Sequence, residues 1–269
     1  MTWSWPTRNG RPPLMLIGGL LLIILFLVST NNVVEFNLNR LHASGGRIVD
    51  FLSRLVTMPD WSYLFTLLAA LWETISMAVV GTFIALLVSV PMGILAARNA
   101  TPNLVVYRVS RDLLSLMRAL PELVWALLFV SAVGLGPFPG VLALAFVTVG
   151  FMGKFFAEHL EVVERKAIEG VRATGASKIQ VIRFAMIPQA LPDFVGSLMY
   201  ILDHNVRTAT VLGVVGAGGI GYDMVMSIRL YRYDRLIMII ASIFMLVTLL
   251  DLLSTYIRGR IMGGHHHAL

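Results

Sequence analysis

The chain has 269 residues, of which 57% are hydrophobic and only 13% are charged. Soluble domains average about 45–50% apolar and about 25% charged residues, so this composition excludes a single soluble core and predicts helices in a lipid bilayer. The absence of cysteine excludes disulfides and thiolate sites. The net charge of +6 is explained by basic loops beside a membrane, and we expect no nucleic-acid partner.

Apolar runs predict an all-α polytopic fold with about six transmembrane helices. The first, Leu14 to about Val34, is uncharged, and because no A-x-A cleavage site follows it we expect a retained helix rather than a signal peptide. The other spans are predicted at about 74–97, 113–134, 140–157, 191–213 and 236–257. Glycines and prolines between 134 and 140 make the third and fourth spans a hairpin. Glu73, at the start of the second span, is expected to reach outer water.

Residues 35–61 are too polar to be a span. Apolar side chains such as Ile48 and Phe51 recur at helical spacing, with Arg47 on the opposite side. We expect a short amphipathic helix on the outer leaflet, ended by Pro59; a solvated loop helix is the alternative.

The distribution of basic residues predicts that both termini are cytoplasmic. With the N-terminus inside, twelve basic residues fall in cytoplasmic segments: Arg8, Arg11, Arg98, Arg108, Arg111, Arg165, Lys166, Arg172, Lys178, Arg183, Arg258 and Arg260. Six fall outside: Arg40, Arg47, Arg54, Arg229, Arg232 and Arg235. This excess matches the positive-inside rule. The cluster at 229–235 is the exception to the rule, unless its side chains lie at a bilayer edge and reach water.

A charged segment at 158–190 interrupts the apolar runs and predicts a helical hairpin. Apolar side chains recur on one helical face from Leu160 to Val171. Gly175 permits the positive φ that ends a helix and turns the chain. Ser177 can cap a second helix, which we expect to run to a break before Pro188. A surface hairpin without a partner is the alternative.

The spacing within this hairpin resembles the loop by which permease subunits of ABC importers bind their ATPase. The pattern of that loop is Glu-Ala-Ala, three residues, Gly, nine residues, then Ile-x-Leu-Pro. Glu169, Gly175, Ile187 and Pro188 fit it, whereas Gly170, Val171 and Ala185 depart from it. The coupling residues implied by the resemblance are Glu169, Gly170, Arg172, Gly175, Ala176, Ile187 and Pro188.

Residues of about 61–258 resemble the phosphonate permease family of ABC importers. The most telling segment is HNVRTATVLGVVGAGGIGYDM, at 204–224, and RALPELVWALLFVSAVGLGP, at 118–137, is similar to the same branch. The resemblance implies the type I importer permease fold, with residues 1–60 as an added helix and amphipathic segment, and 259–269 as a tail. It also implies a second copy of the chain, two ATPase subunits and an extracytoplasmic binding protein.

The implied function is ATP-driven import of phosphonate or a related oxyanion such as phosphate or phosphite, across a bacterial plasma membrane. The chain itself is not expected to be an enzyme or to bind a cofactor; ATP and magnesium belong to the partner. The alternatives are an importer for another solute such as an amino acid, and a proton-coupled secondary transporter.

The fifth span holds the most unusual chemistry for a membrane interior. Asp203 and Arg207 lie one turn apart on one face, so they either neutralise each other or leave Arg207 to line an anion path. The glycines that follow let the backbone pack closely beside a path. The predicted substrate-path residues are Arg207, Asn205, His204, Asp203, Thr208, Gly216, Gly218 and Gly219. Arg118 and Glu122 are expected to form a structural pair.

Three other motifs carry weaker signals. Gly216, Gly218 and Gly221 fit a dinucleotide fingerprint, but no βαβ pattern surrounds them. Ala176 stands where a P-loop needs lysine, so no ATP site is expected in this chain. The histidines at 265–267 bind metal weakly or are a remnant of cloning; no other metal-ligand spacing occurs, and no metal site is predicted.

Overall fold

The computed structural model describes residues 14–34, 38–55 and 58–262. The histidine tract at 265–267 and the basic residues Arg8 and Arg11 lie outside the described residues. The chain divides into two compact units, residues 1–54 and 55–269. The described residues contain helices and turns, with no strand among them.

The first unit contains two helices, α1 (Leu14–Val34) and α2 (Leu38–Leu55), of which α2 ends at the boundary of the second unit. α1 covers the first predicted span, and its described apolar stretch, Ile17–Phe26, is shorter than a full span. α2 exposes Ile48 and Phe51 at 54% and 44% of their surface. The placement of α2 on the outer leaflet stays a prediction.

The second unit holds nine helices among the described residues. They are α3 (Leu64–Ala96), α4 (Leu104–Met117), α5 (Glu122–Val133), α6 (Pro137–Glu161), α7 (Arg165–Ala173), α8 (Lys178–Val181), α9 (Ile187–Leu212), α10 (Gly219–Arg229) and α11 (Tyr233–Met262). Four segments are long and apolar enough to cross a membrane: Trp61–Ala96, Pro137–Glu161, Lys178–Val215 and Tyr233–Ile257. The bent pair α4–α5 makes a fifth if it is one span. The chain is therefore a multi-pass membrane protein.

Helices α3 and α6 form the centre of the second unit because small residues let their backbones approach. Gly81, Ala85, Ser89 and Gly93 recur every four residues on α3 and are buried. A Cβ added at Gly81 would lie 3.0 Å from Leu144 of α6, and one at Gly93 would lie 3.1 Å from the Gly153 carbonyl oxygen. Small-residue packing of this kind is typical of helix pairs in membranes, where van der Waals contact replaces the hydrophobic effect.

The predicted third span, 113–134, is wrong as a single helix. α4 ends at Met117, α5 begins at Glu122, and the two axes are bent by 83°. Pro121 precedes α5 and has no backbone N–H to continue the α4 ladder. The expected Arg118–Glu122 pair is replaced: the Arg118 guanidinium lies over the Phe151 ring, 5.3 Å from its centroid, and Glu122 faces α9.

The basic cluster at 229–235 is largely neutralised by carboxylates. Asp60 accepts hydrogen bonds from Arg232 and Arg235, both at 3.1 Å, and Asp234 accepts from Arg232 at 2.8 Å. Hydrogen bonds from the Ser62 hydroxyl and from Arg235 hold the pKa of Asp60 below its ordinary value. The turn between α10 and α11 is thus fastened to the start of α3.

Candidate functional site

The hairpin predicted between the fourth and fifth spans is present, with a shorter first arm. α6 continues to Glu161, so only α7 forms the first arm. Gly175 has φ +80° and its N–H bonds to the Arg172 carbonyl at 2.9 Å, which closes the turn. Ser177 caps α8 in a capping box with Gln180.

The second arm of the hairpin is continuous with α9. A π-helical turn, Ile182–Met186, joins α8 to α9, and Pro188 lies in the first turn of α9, where its missing N–H is tolerated. The expected break before Pro188 is therefore wrong. Movement of the hairpin can pass directly into α9 because the helix does not end there.

The predicted coupling residues lie on the open surface of this hairpin. Those with exposed side chains or backbone are Glu169, Gly170, Arg172, Gly175 and Pro188, while Ala176 and Ile187 are half-buried. A cleft of about 670 Å³ between the two arms is lined by apolar and small residues, including Val171, Phe184 and Ala185. The hairpin thus presents both an edge and a cleft to a partner.

The hairpin is bonded to the loop between α3 and α4 just before it begins and beside its turn. Glu161 accepts from the Arg98 N–H at 2.7 Å and pairs with Arg111 at 2.9 Å. The Asn99 amide donates to the Leu160 carbonyl at 2.6 Å. Beside the turn, at the start of α8, the Lys178 ammonium donates to the Thr101 carbonyl. These bonds connect the hairpin to α3 and α4 as well as to its own flanking helices.

The glycine-rich segment is packed against α3 and the α5–α6 turn. Gly216, Gly218 and Gly219 have φ of +88°, +77° and +67°. The Gly219 N–H donates to Glu73 Oε1 at 2.8 Å, and the Gly136 N–H donates to the Gly216 carbonyl at 3.0 Å. Glu73 is half-buried and caps the N-terminus of α10, where orphan N–H groups favour an anion. The expectation that it reaches outer water stays a prediction.

One face of α9 is open along much of its length. From Tyr200 onwards its exposed residues recur at intervals of four and three: Tyr200, His204, Arg207 and Val211. The opposite face is buried against α3, α6 and α11 by residues such as Ile201, Val206 and Leu212. A helix with this alternation packs its buried face against its own chain and leaves its exposed face available for contacts outside the chain.

Arg207 on this exposed face is held by two carboxylates. Its Nη2 lies 2.9 Å from Asp203 Oδ2, one turn earlier on α9, and 2.5 Å from Asp251 Oδ1 on α11. The side chains of Arg207 and Asp251 are 46% and 52% exposed, whereas that of Asp203 is 9% exposed. The pairing considered from the sequence is present, and Arg207 also remains open to its surroundings.

His204 and Asn205 point in different directions. His204 Nε2 lies 3.7 Å from Glu122 of α5 and 3.4 Å from the Thr208 hydroxyl. Asn205 is buried, and its amide donates to the hydroxyls of Thr82 and Thr148 at 2.8 Å and 3.0 Å. Asn205 therefore joins α9 to α3 and α6.

A cavity of about 270 Å³ lies between α5, α6 and α9. Its walls are mostly apolar, and its polar border consists of Glu122, Thr148, Tyr200, His204 and Asn205. Within the described ranges, no group of three metal-ligating side chains could hold a metal ion.

Residues 89–263 match the family model for the binding-protein-dependent transport system inner membrane component. The chain belongs to this family. Its members are transport permease subunits, so the chain is a permease.

Relatives of the permease carry names from phosphorus transport. It is 42% identical over 200 residues to the phosphite transport system permease protein PtxC of Stutzerimonas stutzeri, covering 74% of this chain and 73% of the relative. It is 41% identical over 196 residues to the phosphate-import permease protein PhnE of Mycolicibacterium smegmatis, covering 73% of this chain and 37% of the relative. The predicted family is thereby confirmed.

The permease also shares its fold with solved importers. An inward-facing structure of the MetNI methionine ABC transporter superposes with a TM-score of 0.66, covering 75% of this chain and 99% of that chain at 23% identity. An amino acid ABC transporter superposes with a TM-score of 0.64 over 74% of this chain and 95% of that chain, at 19% identity. The predicted type I importer permease fold is confirmed.

Two side chains of the permease were missed by sequence reasoning. Asp251 is the one charged residue between 236 and 257, and an isolated carboxylate in an apolar span is itself a functional signal. Glu161 gave no such signal, since its partners Arg98 and Arg111 lie 63 and 50 residues away.

Proposed function

We propose that this permease is the transmembrane subunit of an ATP-driven importer for a small phosphorus oxyanion: phosphonate, phosphite or phosphate. Two copies form the path, two separate ATPase subunits bind the two hairpins, and an extracytoplasmic binding protein delivers the substrate. ATP and magnesium are bound by the ATPase, and this chain contributes no covalent chemistry.

The observation that carries the proposal is the exposed hairpin with its αL turn at Gly175. A docking loop must present its contact residues to water and still pass movement to the spans. The hairpin meets both needs, because Glu169 and Arg172 are exposed while Glu161, just before the hairpin, and Lys178, beside its turn, bond to the loop between α3 and α4. ATP-driven closure of the ATPases would move α9 through the unbroken helix at Pro188.

The oxyanion class is supported by the relatives named for phosphite and phosphate and by the guanidinium of Arg207 on the open face of α9. A planar guanidinium offers several donors in a fork that matches the oxygens of a phosphorus oxyanion. The carboxylates around Arg207 compete with an oxyanion for its guanidinium, which keeps oxyanion binding weak, as transit requires.

The proposed orientation places both termini in the cytoplasm of a bacterium. The hairpin and the α3–α4 loop then share the side where the ATPase binds, as the bonds between Glu161 and Arg98 require. The basic cluster at 229–235 falls outside, where Asp60 and Asp234 compensate two of its arginines.

A proton-coupled secondary transporter is disfavoured, since the family is one of binding-protein-dependent systems. An importer for an amino acid shares the fold, but the relatives of highest identity named here belong to phosphorus transport. The experiment that separates these alternatives is ATP hydrolysis by the purified permease–ATPase complex in the presence of its binding protein. Phosphite, phosphate or methylphosphonate should stimulate hydrolysis and methionine should not; stimulation by methionine alone would reject the oxyanion class.

A further inference from the structure

Arg207 has one more anionic partner than its charge requires. Asp203 alone can neutralise the guanidinium at 2.9 Å, and Asp251 adds a second carboxylate at 2.5 Å. The three side chains together carry one positive and two negative charges. Because an excess negative charge in a low-dielectric passage repels an anion, this arrangement opposes oxyanion transit as it stands.

The two carboxylates differ in how easily they can leave. Asp203 is one turn from Arg207 on the same helix and is nearly buried, so the backbone of α9 holds it in place. Asp251 reaches across from α11, its side chain is 52% exposed, and only its Oδ1 contacts the guanidinium. A rotation of the Asp251 side chain towards its exposed side would free one edge of Arg207 without moving a helix.

Resting on the proposed function, we infer that Asp251 is the resident counter-ion of Arg207 and that the transported oxyanion displaces it. The oxyanion accepts the guanidinium hydrogen bond that Asp251 relinquishes, and Asp251 returns when the oxyanion leaves. Exchange of one anion for another keeps the Arg207 guanidinium paired at both stages. Competition from Asp251 also keeps the site weak, which transit requires.

The exchange connects substrate passage with helix contact. Arg207 and Asp251 form an ion pair between α9, which continues from the hairpin, and α11. Displacement of Asp251 by an oxyanion therefore loosens α11 from α9 at the moment when substrate is in the path.

The test is oxyanion affinity of the purified permease–ATPase complex without its binding protein. Phosphite is titrated by calorimetry at constant ionic strength, using chloride as the balancing salt. Asp251→Asn should bind phosphite about tenfold more tightly than the unchanged complex, because its competitor has lost its charge. The matched control, Asp112→Asn, removes an exposed carboxylate on α4 and should bind like the unchanged complex. Equal affinity in Asp251→Asn and the unchanged complex would overturn the exchange.

A second measurement leaves Asp251 in place, in case its substitution prevents folding. The chain has no native cysteine, so a single cysteine at the exposed Leu252 can carry an environment-sensitive fluorophore. Phosphite should change the emission of this fluorophore when Arg207 is present and should not change it in Arg207→Gln. Emission that is unaffected by phosphite in both proteins contradicts the exchange. If the complete system imports phosphite while both readouts are negative, the exchange alone is rejected. If no oxyanion stimulates the complete system, the proposed function itself fails.

Discussion

Glu161 at the end of α6 and Arg111 in α4 form an ion pair of 2.9 Å between Oε2 and Nη2. The second oxygen of Glu161 accepts the Arg98 N–H, and Arg111 also donates to the Ala96 carbonyl at the end of α3. One carboxylate thus joins the ends of α3 and α6 to α4 immediately before the hairpin begins. In the proposed importer, this joint is where movement of the ATPase reaches α3 and α4.

Removing the carboxylate should uncouple ATP hydrolysis from transport. We expect Glu161→Ala to retain the ATPase subunits, because the hairpin surface is unchanged, but to lose at least about tenfold in transport per ATP hydrolysed. The control is Glu158→Ala, which loses only an exposed pair with Lys154 at 3.6 Å, worth little. Uptake and ATP hydrolysis are measured in the same proteoliposomes. An equal ratio of transport to ATP hydrolysis in the two variants would show that the Glu161 contacts do not couple the two.

The turn at Gly175 should be sensitive to the shape of the side chain rather than to its size alone. A β-branched residue at φ +80° is strained by about 1–3 kcal/mol, so Gly175→Val should insert in the membrane and lose the co-purifying ATPase or transport. Gly175→Asn is the matched control, since asparagine adopts this conformation more readily. No Cβ clash arises at this position, so the backbone alone decides the outcome. Full ATPase association and transport in Gly175→Val would remove the turn from the coupling mechanism.

Labelling of single cysteines should report the proposed orientation. A cysteine at Gly45 is expected to react with an impermeant thiol reagent from outside the cell, and a cysteine at Ser177 only after permeabilisation. The absence of native cysteine leaves no background labelling. Reaction of Ser177→Cys in intact cells, with protection of Gly45→Cys, would reverse the orientation.

Substitution of Arg207 should separate a transport role from a structural one. Arg207→Gln leaves Asp203 and Asp251 facing each other, so loss of transport with reduced assembly is expected from that change alone. The triple variant Asp203→Asn, Arg207→Gln, Asp251→Asn removes all three charges and should recover assembly. Transport should stay low in this variant, as measured by uptake in proteoliposomes, because the guanidinium that meets the oxyanion is absent. Recovery of transport together with assembly would show that the three charges only hold α9 and α11 together and have no role in transport.

Much of the fold follows from local patterns in the sequence. The long apolar runs predict α3, α6, α9 and α11, although their ends shift by several residues. Gly175 and Ser177 predict the turn and the cap of the hairpin because αL geometry and N-capping depend on single residues. The bend between α4 and α5 was missed, since an apolar run of hydropathy typical of one helix hides a break at Pro121.

The site could be predicted only where its residues are close in the sequence. Asp203 and Arg207 are one turn apart and were recognised as a pair. Asp251 lies 44 residues from Arg207, and Glu73 lies 146 residues from Gly219, so these contacts depend on how α3, α10 and α11 pack. Periodicity along one helix carries no information about which distant carboxylate will meet it.

Uptake by the complete system tests the central claim most directly. The permease, its ATPase and its binding protein are reconstituted in proteoliposomes, with ATP supplied on the side of the hairpin and labelled phosphite on the other. ATP-dependent accumulation of phosphite is expected, with competition by phosphate or methylphosphonate and none by methionine. Accumulation of methionine without accumulation of any phosphorus oxyanion, or phosphite uptake driven by a proton gradient in the absence of ATP, would contradict the account.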